Sequence, residues 1–208
     1  MTKTNTTTNK TKINKLSTNR EKIVESARDL FHLNGYQHTS IDDILKSTGV
    51  TKSNFYYHFK SKEELGLLIL EIRIKQYEIK FLSDTLGNTS IAPEKRLKNY
   101  YKKVTSFHKD LNCRRGCPFG NLALEMSDVN ENFRLRLSEF FNHWQKIIEG
   151  CIKEGIRKKE FRDDLSYKSI AQLILSHLEG AIMIAKTHRS IQPLSMGSKT
   201  IIKLIKAA

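Results

Sequence analysis

The chain of 208 residues carries 36 Lys and Arg against 22 Asp and Glu, and its net charge of +14 favours a polyanionic partner, nucleic acid or an acidic membrane surface. Its length suits a small domain docked on a larger one. The polar N-terminus holds no signal-peptide core, no run is apolar enough to span a bilayer, and Cys113, Cys117 and Cys151 are too irregular for a disulfide framework. A cytoplasmic, reducing location with at least one free thiol is therefore expected.

Residues 1–17 contain Lys3, Lys10, Lys12 and Lys15 but no acid, which predicts a segment disordered in the free protein. It is either a floppy tail or an arm that reaches a DNA backbone or minor groove. From Thr18 the apolar residues Ile23, Ala27, Leu30 and Phe31 follow a helical period, opened by the capping box Thr18-x-x-Glu21 and closed at Asn34-Gly35. A second, short helix opens at Ser40-x-x-Asp43, buries Ile41, Ile44 and Leu45, and ends at Gly49. Thr51 caps a third, with Val50 and Phe55 as a hydrophobic staple.

Ser61-x-x-Glu64 predicts a longer fourth helix with Leu65, Leu68, Ile69 and Ile72 on one face. Leu86 to Ala92 reads as a loop, and Pro93 opens a helix that Asn112 to Gly116 breaks. A short helix over Phe119 to Ser127, a long one from Phe133 to Ile152, another capped by Ser166 and a last one near Ser198 to Lys206 complete the chain. No stretch alternates like a strand. The fold class is all-α, with residues 1–17 as an arm, 18–64 as a three-helix DNA-binding domain and 65–208 as a larger helical domain for regulation and dimerisation.

Two helices joined by a turn of about three residues that contains glycine have the geometry of a helix-turn-helix. The second would lie in the major groove, with Thr51, Lys52, Ser53, Asn54, Tyr56, Tyr57 and His58 outward and Phe55 and Phe59 inward. Hydroxyls, amides and a lysine suit contact with phosphates and base edges. A tight helical corner with a merely solvated polar face is the bland alternative. Against it stands the whole string: Gly35-Tyr36-x-x-Thr39-Ser40-Ile41-x-x-Ile44, then Thr48-Gly49-Val50-Thr51-Lys52-Ser53-Asn54-Phe55-Tyr56-Tyr57-His58-Phe59-Lys60-Ser61-Lys62-Glu63-Glu64-Leu65. Over Asn19 to Leu70 it resembles the DNA-binding domain of the TetR family of bacterial regulators.

The resemblance implies a homodimer that reads a palindromic operator, and a fourth helix that leads to a ligand-binding domain. On matching positions it adds Thr39, Ser40, Lys60 and Lys62 to the contacts named above. Asn54 and Phe55 depart from the small polar residue and the leucine or isoleucine usual there, and Leu45-Lys46-Ser47 replaces an alanine-rich run, so base preference does not carry over.

Arg115-Gly116-Cys117-Pro118-Phe119-Gly120-Asn121-Leu122-Ala123-Leu124-Glu125-Met126, with Leu178-Glu179-Gly180-Ala181, is similar to a TetR subgroup that shares a Gly-Cys-x-x-Gly-Asn-Leu pattern. Pro118 as first helical residue puts Cys117 at the N-cap, where free amides, the helix dipole and nearby Arg114 and Arg115 favour a thiolate, a candidate switch for oxidants or electrophiles. The alternative for Cys117 is inert buried packing, as expected of Cys151. Cys113 and Cys117 with His108 and His143 invite a metal reading, but the spacing is not a zinc-finger pattern and no metal is assigned.

Phe107, Phe119, Met126, Trp144 and His177 are the candidate lining of an inducer cavity, against the alternative that they are core. By resemblance the helix capped by Ser166 and the last helix form the dimer interface. Gly-rich phosphate loops, His-Glu-x-x-His and Gly-x-Ser-x-Gly are absent, so the sequence reads as a regulator and not an enzyme, with no cofactor called for. A membrane-surface module would explain the basic arm but not the embedded helical corner. The partners expected are a double-stranded DNA operator, a second copy of the chain, and a small-molecule inducer or electrophile, with no membrane.

Overall fold

The computed structural model describes residues 18–207, and the arm expected over 1–17 lies outside them. Among the described residues the architecture is all-α, with one π-helical segment and one isolated antiparallel bridge between Phe161 and Lys206. α1 (Asn19–Asn34) starts at the reciprocal box foreseen: the Thr18 hydroxyl accepts the Glu21 N–H at 3.2 Å, and the Glu21 carboxylate accepts the Thr18 N–H at 2.8 Å. α2 (Ile41–Thr48) repeats the device with Ser40 and Asp43, and Gly49 ends it at φ 69°, a left-handed conformation that favours glycine. α3 (Lys52–His58) is capped by Thr51. α4 (Lys62–Tyr77) starts at Ser61, but its box is only half made, because the Glu64 carboxylate takes the Lys60 N–H at 2.8 Å instead.

These four helices enclose a small core of Ile23, Ala27, Ile44, Val50, Phe55, Phe59, Leu65 and Ile69. Val50 and Phe55 sit in it together, which is the staple at work. Leu65 and Ile69 belong to this core while Leu70 and Ile74 belong to the next, so α4 is shared by both.

Beyond Tyr77 the chain stays helical but widens into a π-helical segment (Glu78–Leu86), where sequence periodicity gives no warning. Buried Arg96 on α5 (Pro93–Asp110) donates to the Leu86 carbonyl at 2.8 Å and ion-pairs with Glu154, which satisfies an orphan carbonyl at the segment's end. The break after α5 uses left-handed backbone at Asn112, Cys113 and Gly116. α6 (Pro118–Met126), α7 (Glu131–Arg157), α8 (Tyr167–His188) and α9 (Gln192–Ile205) follow. α9 begins earlier than foreseen, since Pro193 fits a first turn and Leu194 already packs inside.

The two cores meet at the α1–α2 loop. Tyr36 is buried in the larger core, its ring 5.0 Å from both Phe31 and Phe133, with the Lys62 ammonium 4.4 Å above it. Gly66 makes room for this: a Cβ there would lie 2.6 Å from Tyr36 and 2.8 Å from Phe133. Glu125 at the end of α6 accepts the Gln37 N–H at 3.0 Å, and the Gln37 amide donates to the Glu125 carbonyl at 2.5 Å. Asn132 to Glu63 (2.9 Å) and the forked Arg136–Glu71 pair latch α7 onto α4. Truncating Tyr36→Ala is expected to cost about 3–5 kcal/mol, as for other buried aromatics. Denaturant unfolding checks it, and a loss under about 1 kcal/mol would show that the ring is no wedge.

Candidate functional site

α3 is short, and its orientation is fixed from beneath by Phe55 and Phe59, both almost wholly buried. That leaves Thr51, Lys52, Ser53, Tyr56, Tyr57 and Lys60 on the surface, with Tyr57 82% exposed, an unusual posture for an aromatic with no external partner. The Thr51 hydroxyl accepts the Asn54 N–H at 3.3 Å and lies 3.2 Å from the Ser53 hydroxyl. His58 is half-buried, edge-on to Tyr57.

Three expectations need correction. Thr39 is fully buried and its hydroxyl donates to the Gly35 carbonyl at 2.8 Å, so it holds the α1–α2 loop and has no side-chain surface for DNA. Lys62 turns inward, donating to the carbonyls of Tyr36 (3.1 Å) and Thr39 (3.2 Å), because the loop offers it acceptors and an aromatic face. Asn54 is half-buried with its Oδ1 wholly covered, which leaves it a poorer base reader than its helical position suggested. Ser40 is exposed, but its hydroxyl is engaged with Asp43 as a cap.

In the larger domain a cavity of about 230 Å³ opens between α1, α4, the π-helical segment, α5, α6, α7 and α8. Phe107, Phe119 and Trp144 line it, so three of the five residues foreseen for a cavity come together, with the candidate switch Cys117 beside them. Met126 and His177 do not. Met126 is buried at the far end of α6, and His177 is a packing residue whose Nδ1 is 3.4 Å from the Tyr101 hydroxyl and whose ring rests on Gly197. Missed by periodicity were Arg28, His32, Arg73, Tyr77, Lys80 and Phe81, which share the lining. Arg73 was visible in principle, since it falls four residues after Ile69 and four before Tyr77 on the inward stripe of α4.

Cys117 is the N-cap foreseen, its sulfur accepting the Gly120 N–H at 3.4 Å. The low-pKa thiolate is not. Burial, and then the carboxylate of Glu179, push the thiol well above its usual range, overriding the helix dipole. Glu179 is itself pushed up to about 7 by burial, and Gly120 admits it, since a Cβ there would lie within 2.4 Å of its carboxylate. Cys151 is core as expected, with burial raising its thiol to about 11. Among the described residues no three His, Cys, Asp or Glu side chains converge on a metal position, and His143 instead faces Glu78 at 3.4 Å.

A helix-turn-helix with an exposed polar recognition helix, joined to a helical domain that holds a cavity, defines a DNA-binding transcription regulator. Comparison with known proteins agrees. Residues 23–67 match the family described as bacterial regulatory proteins, tetR family, and residues 93–201 match the tetracyclin repressor-like C-terminal domain. The chain is 31% identical to the HTH-type transcriptional repressor DhaR of Mycobacterium sp. (strain GP1), over 84% of this chain and 86% of that one. It is 30% identical to the transcriptional regulator AcuR of Cereibacter sphaeroides, over 80% and 75%. The crystal structure of the regulatory protein TetR from Rhodobacter sphaeroides superposes with a TM-score of 0.80 at 27% identity, covering 88% of this chain and 97% of that one. The chain belongs to the TetR family. Proteins of this family bind DNA and usually act as dimers. Among the described residues no helix is long and apolar enough to cross a membrane.

Burial holds His32 and His108, both on the cavity wall, down at about 4, against 6.5 for an exposed histidine. At these two positions the folded protein therefore binds fewer protons than the unfolded chain between these values, so their contribution to stability is complete above pH 6.5 and falls as pH drops toward 4, with the raised Glu179 offsetting part of it. Thermal unfolding across this range should show the loss, and His108→Gln should shrink it. Native Cys117 should also react far more slowly with iodoacetamide at pH 8 than the denatured chain does, as mass spectrometry would report.

Proposed function

We propose that the protein is an effector-responsive repressor that binds a palindromic operator as a homodimer and leaves it when the cavity is occupied. Residues 18–64 read DNA, and 65–208 sense the effector and dimerise. The observation that carries this reading is the shared use of α6. Its first turn, with Cys117 and Phe119, walls the cavity, and its last turn grips the α1–α2 loop through Glu125. A ligand that displaces α6 or α4 alters how each recognition helix is presented, and the dimer loses register with successive major grooves.

Lys52, Ser53, Thr51, Tyr56, Tyr57, His58 and Lys60 carry the contacts, and Ser40 adds its position at the start of α2. Dimerisation uses α8 and α9, where Leu173, Met183, Ile184, Met196 and Leu204 stay exposed and Gly180 has open space beside it. The Gly-Cys-x-x-Gly-Asn-Leu subgroup reading is supported by the work its residues do. Gly116 takes φ 69°, Cys117 caps α6, Gly120 admits Glu179, and Asn121 ties back to the Arg115 carbonyl at 2.8 Å.

Selection of bound DNA from a random pool should yield an inverted repeat with half-site centres about 34 Å or a multiple apart. Lys52→Ala and Tyr57→Ala should each weaken operator binding about tenfold or more without altering thermal unfolding. Full affinity in both would remove α3 from the interface. Cys117 also lines the cavity, so an electrophilic signal is a second reading. Cys117→Ser separates the two, because release by a non-covalent effector survives it and release by thiol modification does not.

A further inference from the structure

The cavity lining combines aromatic and charged side chains. Tyr77, Phe81, Phe107, Phe119 and Trp144 supply the aromatic wall. Arg28, Arg73, Lys80 and His32 share the lining with the single carboxylate of Asp29, which lies 3.5 Å from Arg28. Arg73 is the telling member. It is partly buried on the inward stripe of α4, no carboxylate among the described residues is in ion-pair contact with it, Asp29 acts on it only from further away, and its one hydrogen bond runs to the Arg28 carbonyl. A guanidinium has five N–H donors, and a covered cation with no carboxylate in contact is costly unless an anion completes it. Burial and the neighbouring Arg28 pull Arg73 down only to about 10, so it stays cationic at neutral pH. His32 lines the same cavity and has a buried Nε2 with no hydrogen-bond partner.

We propose that the cavity binds a small aromatic carboxylate, its ring against Phe119 and Trp144 and its anionic group on Arg73, where α1 and α4 meet. The inference rests on the reading of this cavity as the effector site and names the chemistry of the effector. The volume of about 230 Å³ agrees with the size, since a cavity of about 150 Å³ accepts benzene and a carboxylate adds little more. Forked donation from Arg73 suits a planar carboxylate and discriminates against a neutral isostere. Because Arg28 and His32 belong to α1, the bound anion touches the DNA-binding bundle itself as well as the regulatory core.

Trp144 is the only tryptophan in the chain, so its fluorescence reports the cavity directly and independently of DNA. Benzoate, phenylacetate and 3-phenylpropanoate are titrated into the full-length protein beside their primary amides. At least one carboxylate should change the fluorescence with a Kd about tenfold or more below that of its amide. Arg73→Gln should abolish that preference, and Arg73→Lys should keep part of it. Amides that match the acids, no response to any acid up to millimolar concentration, or a preference that persists in folded Arg73→Gln would overturn the proposal. If Arg73→Gln fails to fold, the acid-against-amide comparison on the native protein still decides. Operator binding measured in parallel keeps the two readings apart. An acid-selective response with unchanged operator affinity supports the anion site and sinks the effector role. Amide-tolerant binding that releases DNA does the reverse.

Discussion

Tyr36 belongs by chain position to the DNA-binding bundle and by packing to the regulatory core. Its ring is wedged between Phe31 and Phe133, its carbonyl and that of Thr39 are held by Lys62, and the next residue is gripped by Glu125. A loop between two helices normally runs over the surface, free to vary. Here it is the joint, and Gly66 is the residue whose missing side chain lets the joint close. On the proposed reading, packed aromatic contacts of this kind are bistable and not softly deformable, so a shift in α4 or α6 would pass to α1 and α2 as a rigid displacement.

The placement of the cavity follows from the same arrangement. α4 passes from the small core into the large one, and its widened π-helical continuation carries Lys80 and Phe81 to the cavity wall. α6 is held at both ends, by the Cys117 cap beside Glu179 and by the Glu125 grip on Gln37. The cavity therefore touches α1, α4 and α6 together, the three elements that set where the recognition helix points.

Local signals made the N-terminal half readable. Capping boxes, a staple and a left-handed glycine act within a few residues of chain, so Thr18, Ser40, Gly49 and Thr51 announced α1 to α3 without any tertiary information. What they left undetermined was long-range. The family resemblance put Lys62 and Thr39 near the operator, whereas loop carbonyls distant in sequence draw Lys62 inward and the buried Thr39 turns to the Gly35 carbonyl of its own loop. The same holds for Cys117: its N-cap geometry was legible, but burial by the surrounding helices, and then the carboxylate of Glu179 from far along the chain, reverse the expected pKa shift. The π-helical turn and the grouping of Arg28, His32 and Arg73 were hidden for the same reason, since a 3.6-residue period describes one helix and not the space between several.

On the proposed reading, the Gln37–Glu125 grip transmits cavity occupancy to the recognition helices. Glu125→Ala tests it most directly, with Trp144 fluorescence reporting effector binding and operator affinity measured with and without that effector. The account predicts that effector affinity is retained while the fall in operator affinity on saturation shrinks by about fivefold or more, a loss of coupling of about 1 kcal/mol. An unchanged effector response in the folded variant would contradict it and place the coupling elsewhere.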